Sequence, residues 1–271
     1  FSVMAIGQLL RRYSSVYNTL AFSAFILLII NPLLLFSISF QLSFTAVFSI
    51  VFFQPRLYKL IDLPLIPDKL WQAFTIALAA QIGIAPLIIH HFNIFPIYFW
   101  LTNFIAIPAA ALIIIFGFLY FITLPVLPFI SEMMAFILFH MLAALNHSTA
   151  FVRELPLSAL HNLWLNELQV LLLYLCIAFI STWVILKSSL YLKLFLIVSM
   201  ALILSDINAI YQNQDRKKFL VYNVMNSSVY NYIDGKNNFL FYRHSGQIKH
   251  AINRYIRDYW LANHVKSCQL Y

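Results

Sequence analysis

Charge is what this sequence lacks over its longest stretches. From Tyr13 to Pro55, and again from Leu70 to Ser131, there is no Asp, Glu, Lys or Arg. Only 10% of the 271 residues are charged, against 62% hydrophobic. A soluble domain carries about a quarter charged residues, and a larger core does not account for that gap. Glycine occurs 5 times and phenylalanine 26 times, which excludes fibrous and low-complexity chains. The 2 cysteines, Cys176 within an apolar run and Cys268 near the C-terminus, form neither a disulfide framework nor a metal-ligand spacing, and both read as free thiols. HExxH, GxSxG and Walker-type glycine patterns are missing, as is a His/Asp metal cluster. No catalytic residue, metal or cofactor is therefore assigned. The expectation is a protein that is not an enzyme and has no energy-coupling ATPase of its own.

Apolar segments fill the gaps between charges. A spanning helix needs about 20 apolar residues. The first charge-free stretch holds two such segments and the second two or three, with further ones at Met133–Val152, Leu168–Leu186 and Leu190–Leu204. The sum is about seven spans. A signal peptide has a single short apolar region, whereas these recur through residue 204. The chain starts at Phe1 rather than Met and reads as a fragment. The expected fold is an all-α polytopic membrane protein over residues 1–205, with some spans broken, followed by a small basic α+β soluble segment at residues 206–271.

That tail holds nine Lys or Arg against four Asp, a net +5. Phe219–Met225, Val229–Ile233 and Phe239–Arg243 read as short strands, with a turn at Asp234–Asn238. Ile248, Ala251, Ile252, Tyr255, Ile256 and Tyr259 recur at helical spacing. The reading is a β-meander with a helix packed on it. At about 60 residues, such a unit is marginal alone.

Basic residues favour cytoplasmic loops. Arg11 and Arg12, then Arg56, Lys59 and Lys69, then Lys187 and Lys193 all fit inside if the loop Arg153–Glu167 lies outside. Ile97–Leu124 must then cross once, and the tail falls outside, against the preference of Arg216-Lys217-Lys218. Two loops have an interfacial composition. Arg56–Leu65 mixes Leu57, Leu60 and Ile61 with charges, and Pro156–Leu165 carries Leu157, Leu160 and Trp164 at helical spacing. Ordinary short loops are the alternative for both.

Within the spans, the informative residues are neutral polar side chains and prolines. Asn31-Pro32 interrupts the first apolar stretch, because proline lacks an N–H and disfavours helix at the residue before it. Gln41 and Ser43 follow; Gln81 precedes Pro86, and Asn103 precedes Pro108, each by five residues. Amides beside helix breaks suit the lining of a cavity. They equally suit hydrogen bonds between helices, and both readings stay open at this point. His90-His91 and the pair His140 and His147 have no carboxylate beside them within the spans, which disfavours a metal or proton-relay role.

Asn31-Pro32 followed by Phe40-Gln41-Leu42-Ser43-Phe44-Thr45-Ala46-Val47 resembles the signature of the ComEC/Rec2 competence family of DNA-uptake membrane proteins. Ala80-Gln81-Ile82 through Pro86, His91-Phe92, Asn103-Phe104-Ile105-Ala106-Ile107-Pro108, Leu155-Pro156 and Leu173-Tyr174 extend the likeness in order, over roughly residues 1–205. Ser39 stands where the family often has Gly, and Ser37 where it often has Asp. The resemblance implies a channel or permease for single-stranded DNA in the bacterial cytoplasmic membrane, acting in natural transformation. Its implied partners are single-stranded DNA, the lipid bilayer, a separate DNA-translocating ATPase and a DNA receptor, with a homo-oligomer also in view. Asn31, Pro32, Gln41, Ser43, Gln81, Pro86, Asn103 and Pro108 are the implied channel and helix-break positions.

Many family members end in a metallo-β-lactamase-like domain. Residues 206–271 read as a truncated, degenerate start of one. Tyr222–Ser228 keeps the strand pattern of its opening but has lost the Gly and Asp residues, and no HxHxDH motif follows. Nuclease activity is not carried over. The residues alone support transport in general, and a small-molecule permease or flippase is the alternative.

Overall fold

A chain that cannot hydrogen-bond to lipid must satisfy its backbone internally, and helices do so. The structure is a computed structural model that describes residues 15–62, 64–125, 127–214, 217–224, 227–234, 237–243, 260 and 269–270. Among the described residues, seven apolar helices follow one another: α1 (Val16–Ile30), α2 (Ile38–Tyr58), α3 (Leu65–Phe92), α4 (Phe99–Thr123), α5 (Pro128–Glu154), α6 (Glu167–Leu186) and α7 (Ser189–Gln214). Six of them, α2 to α7, are long and apolar enough to cross a membrane, and α1 is shorter at 15 residues. Their apolar side chains point outward in number; Phe121, Phe129 and Phe136 are all well exposed. The chain is a multi-pass membrane protein, as its charge-free runs predict.

The polar side chains inside these helices mostly turn back on their own backbone. Ser23 donates to the Thr19 carbonyl at 2.8 Å, Thr123 to Leu119 at 2.8 Å and Ser148 to Ala144 at 2.8 Å. His140 contacts the Phe136 carbonyl through Nδ1 at 2.9 Å and lies against the Phe136 ring. Each bond removes a polar group from contact with lipid.

The chain divides into two units: Phe1–Ala85 with Phe95–Leu160, and Pro86–Ile94 with His161–Tyr271. In the first, α1 and α2 meet around a break, and α4 and α5 pack along each other. In the second, α6 and α7 form a hairpin with only Lys187 and Ser188 between them. Lys187 ends α6 at φ 51°, the left-handed conformation that stops helices. At the other end of α6, Asn166 and Gln169 form a reciprocal capping box.

Two short strands, β1 (Ile94–Pro96) and β2 (Ala159–His161), form a two-stranded sheet. In Pro156–Leu165 the residues at helical spacing do not form a helix: the segment is a turn and a strand, because Leu157 at φ 57° and Asn162 at φ 64° are left-handed and cannot sit in a right-handed helix.

The tail forms a sheet in the order β3-β4-β5-β6, with β3 (Lys217–Val224), β4 (Ser227–Asp234), β5 (Asn237–Arg243) and β6 (Gln269–Leu270). The first three are antiparallel, close to the strands read from alternation, and β6 joins β5 in parallel. Val229 and Leu240 are buried on one face, with Tyr222 and Trp260 packed against them. Helix α7 runs on to Gln214, past the expected boundary at residue 205. The helical spacing of Ile248–Tyr259, like Arg11, Arg12 and Cys268, lies outside the described residues.

Candidate functional site

Helix α1 stops at Asn31 because Pro32 follows. The chain then makes a 3₁₀ turn, Pro32–Phe36, before α2 begins. Two amides repair the break. Asn31 Oδ1 accepts from the Leu33 N–H at 3.0 Å, capping the turn, while the Asn31 N–H closes α1 onto the Leu27 carbonyl at 3.0 Å. Gln41, from the first turn of α2, reaches back and donates from Nε2 to the Leu35 carbonyl at 3.0 Å. Pro32 occupies the first position of the turn, where its missing N–H costs nothing. Asn31, Pro32 and Gln41 thus gather at one break, and Ser43 lies two residues further along α2.

Helix α3 is buried on two sides. Thr75, Ala79 and Gly83 recur every four residues on one face, and Ala77 and Gln81 on the opposite one. The first stripe is built of small residues, which lets helix backbones approach closely. At Gly83 the approach to α2 is so close that a Cβ would overlap the side chain of Ser49 and come within 3.3 Å of the Thr45 carbonyl oxygen. Towards one end of this pair, the Tyr58 hydroxyl donates to Asp68 at 2.6 Å and Trp71 Nε1 donates to the Tyr58 carbonyl at 3.1 Å. Arg56 donates to the Phe52 carbonyl and lies over the Phe52 ring. Trp, Tyr and Arg at a span end are the residues of a headgroup boundary.

On the second stripe, Gln81 is 6% exposed and its Nε2 has no hydrogen-bond partner among the described residues. A buried, unpaired amide costs roughly 1–3 kcal/mol. Five residues on, Pro86 removes the bond that the Ile82 carbonyl would accept, the residue next to Gln81. Helix α4 repeats the arrangement: Pro108 frees the Phe104 carbonyl, beside the half-buried Asn103. Gln81 and Asn103 therefore share a local chemistry with the Asn31–Gln41 break. No hydrogen bond links either of them to Gln41 among the described residues.

Polar order continues where the helices end. In the first unit, the Ile97 N–H donates to the Ser158 carbonyl at 3.0 Å and the Tyr98 hydroxyl to the Pro156 carbonyl at 3.1 Å. In the second, His90 Nδ1 lies 2.7 Å from the Leu165 carbonyl, and the Leu163 N–H donates to the Asn93 carbonyl at 3.1 Å. His90 is thus occupied in holding the loop before α6.

Two polar contacts escaped the sequence reading. Gln169, 2% exposed, accepts at Oε1 from the Asn166 N–H at 2.8 Å and donates from Nε2 to Asp206 at 2.6 Å. Asp206, read as the start of the tail, lies inside α7. Ser49 and Gly83 were missed as a pair, although the small-residue period Thr75, Ala79, Gly83 was a usable signal. Among the described residues no three His, Cys, Asp or Glu side chains are grouped to hold a metal ion.

The break, its amides and the charge-free spans are what the resemblance rests on, and the comparison with protein families agrees. The family model described as Competence protein matches residues 1–188. The chain belongs to the ComEC/Rec2 competence family. Neither a curated protein nor a solved structure matches it. The matched span takes in the Asn31–Gln41 break, Gln81, Asn103 and the whole of α6, and stops where α7 begins. This competence protein is therefore a multi-pass membrane protein whose family-specific part includes every candidate position named above.

Proposed function

We propose that this competence protein is a channel or permease that passes single-stranded DNA inward across the bacterial cytoplasmic membrane during natural transformation. The observation that carries the reading is the family match over residues 1–188, which coincides with a span broken at Asn31-Pro32 and patched by Gln41. Non-helical backbone at membrane depth persists only where protein or a water-filled cavity surrounds it. In this reading, Asn31, Pro32, Gln41, Ser43, Gln81, Pro86, Asn103 and Pro108 border the path. Their neutral amides and the carbonyls freed by proline would solvate the strand. The unpaired Gln81 Nε2 is a buried donor that a water entering between the helices would satisfy.

In the segments of α4, α6 and α7 long enough to span, the charged residues are Glu167, Lys193 and Asp206, with a single positive charge among them, too little to neutralise a run of phosphates. Partner subunits or a second copy of the chain would complete the path, and the motor would be a separate ATPase supplied by a receptor that binds DNA first. The test is uptake of labelled DNA in a deletion strain. Surface-bound DNA should persist while the nuclease-protected cytoplasmic pool disappears. An unchanged protected pool, with no second gene copy, would overturn the DNA reading and favour a small-molecule permease.

A further inference from the structure

The tail sheet has two unlike faces. Its inner face is closed by Val229, Ile233 and Leu240, with Tyr222 and Trp260 packed against that core. Strand alternation puts Phe219, Val221, Tyr230, Tyr232, Phe239 and Phe241 on the other face. There Phe219 is 63% exposed, Tyr230 40% and Phe241 44%. A solvent-facing strand normally carries polar residues at those positions. The register sets the rings in cross-strand neighbours, with Val221 opposite Tyr230, Tyr230 opposite Phe241, and Tyr232 opposite both Phe219 and Phe239. Phe219 and Tyr230 are stacked at 6.1 Å with planes 17° apart, and Tyr232 and Phe239 at 6.3 Å with planes 25° apart. Lys217 begins the same row, opposite Asp234 in the register, and residues 206–271 carry a net +5.

We propose that this outer face is a stacking platform for single-stranded DNA. Bases stack on aromatic side chains whatever their sequence, and surrounding positive charge holds the backbone. A rigid sheet carrying several rings is a recurrent solution for unpaired bases. The near-parallel ring pairs suit a base that continues the stack, whereas a lipid-facing belt has no such requirement. Self-association through this face would bring two net-positive segments together. The substrate class is that of the proposed channel, and the inference rests on that reading for it.

The experiment uses the full chain in nanodiscs of zwitterionic lipid, with a fluorescent oligothymidylate read by anisotropy. Phe219→Leu, Tyr230→Leu and Phe241→Leu keep apolar bulk and remove the π face. Each should weaken binding about tenfold, within the range of one lost base–aromatic stack. Tyr230→Phe should bind like the parent, and an abasic oligomer of equal length should bind the parent about as weakly as the combined leucine variant. Parent-like binding by the combined leucine variant overturns the platform. So does parent binding that requires anionic lipid, or a change of oligomeric state as the only effect of the substitutions. Uptake in the deletion strain is scored separately. Lost binding with normal uptake upholds the platform and removes the channel, while retained binding with abolished uptake does the reverse.

Discussion

Gly83 of α3 and Ser49 of α2 meet so closely that the glycine's missing side chain is the space the serine occupies. Gly83→Ala must therefore push the two helices apart or force the serine to another rotamer against the Thr45 carbonyl. The expected cost is about 1–3 kcal/mol, the usual range for overpacking. Thermal unfolding in detergent measures it. Ser49→Ala should recover only part of the loss, since the serine Cβ stays in the way.

Gln41→Leu removes the donor that satisfies the Leu35 carbonyl. Leu35 is exposed on the protein surface, so at membrane depth the acceptor left without that donor would face lipid, at a cost of several kcal/mol. Uptake should fall more steeply than surface binding. The tail substitution Lys249→Ala should do the opposite and change the salt slope of binding by about one unit. Equal effects of both variants on protected DNA would count against a path at the break.

Asp206→Asn keeps an acceptor for Gln169 Nε2, whereas Asp206→Leu strands a side chain only 2% exposed. The leucine variant should lose about 1–3 kcal/mol more than the asparagine variant. Matching melting curves for the two would show that the Gln169 contact contributes nothing.

Cysteines introduced at Phe48, Ile84 and Leu172 should resist a water-soluble maleimide, while one at Lys59, in the loop after α2, should react readily. Comparable labelling at all four positions would contradict the span assignment.

The full chain should not cleave DNA in a metal-dependent manner, because Tyr222–Ser228 lacks the acidic and glycine residues of the domain opening it resembles. Degradation of a labelled strand that a chelator abolishes would show otherwise.

The helices were legible because long charge-free runs have few alternatives, and the tail strands because Phe219, Val221 and Tyr230, Tyr232 alternate cleanly with inward residues. The break was legible for a local reason: Pro32 forbids continuation of α1. Other features depended on chain geometry that composition does not encode. Leu157, Leu160 and Trp164 have helical spacing, yet Leu157 is left-handed and the segment pairs as a strand. Asp206 looked like the first residue of a soluble tail because a charge usually ends a span. Its partner Gln169, 37 positions earlier, lets α7 continue through it. The orphaned Nε2 of Gln81 was invisible for the same reason, since the sequence named the amide but not whether anything would meet it.

The link between α6 and α7 also bears on how the chain is made. With only Lys187 and Ser188 between them, neither helix can clear the ribosome and settle in lipid long before its neighbour follows. The pair is suited to leave the translocon together as a preformed hairpin. The Asp206 carboxylate, costly for a lone span to carry into the bilayer, then arrives with the Gln169 amide already available to receive it.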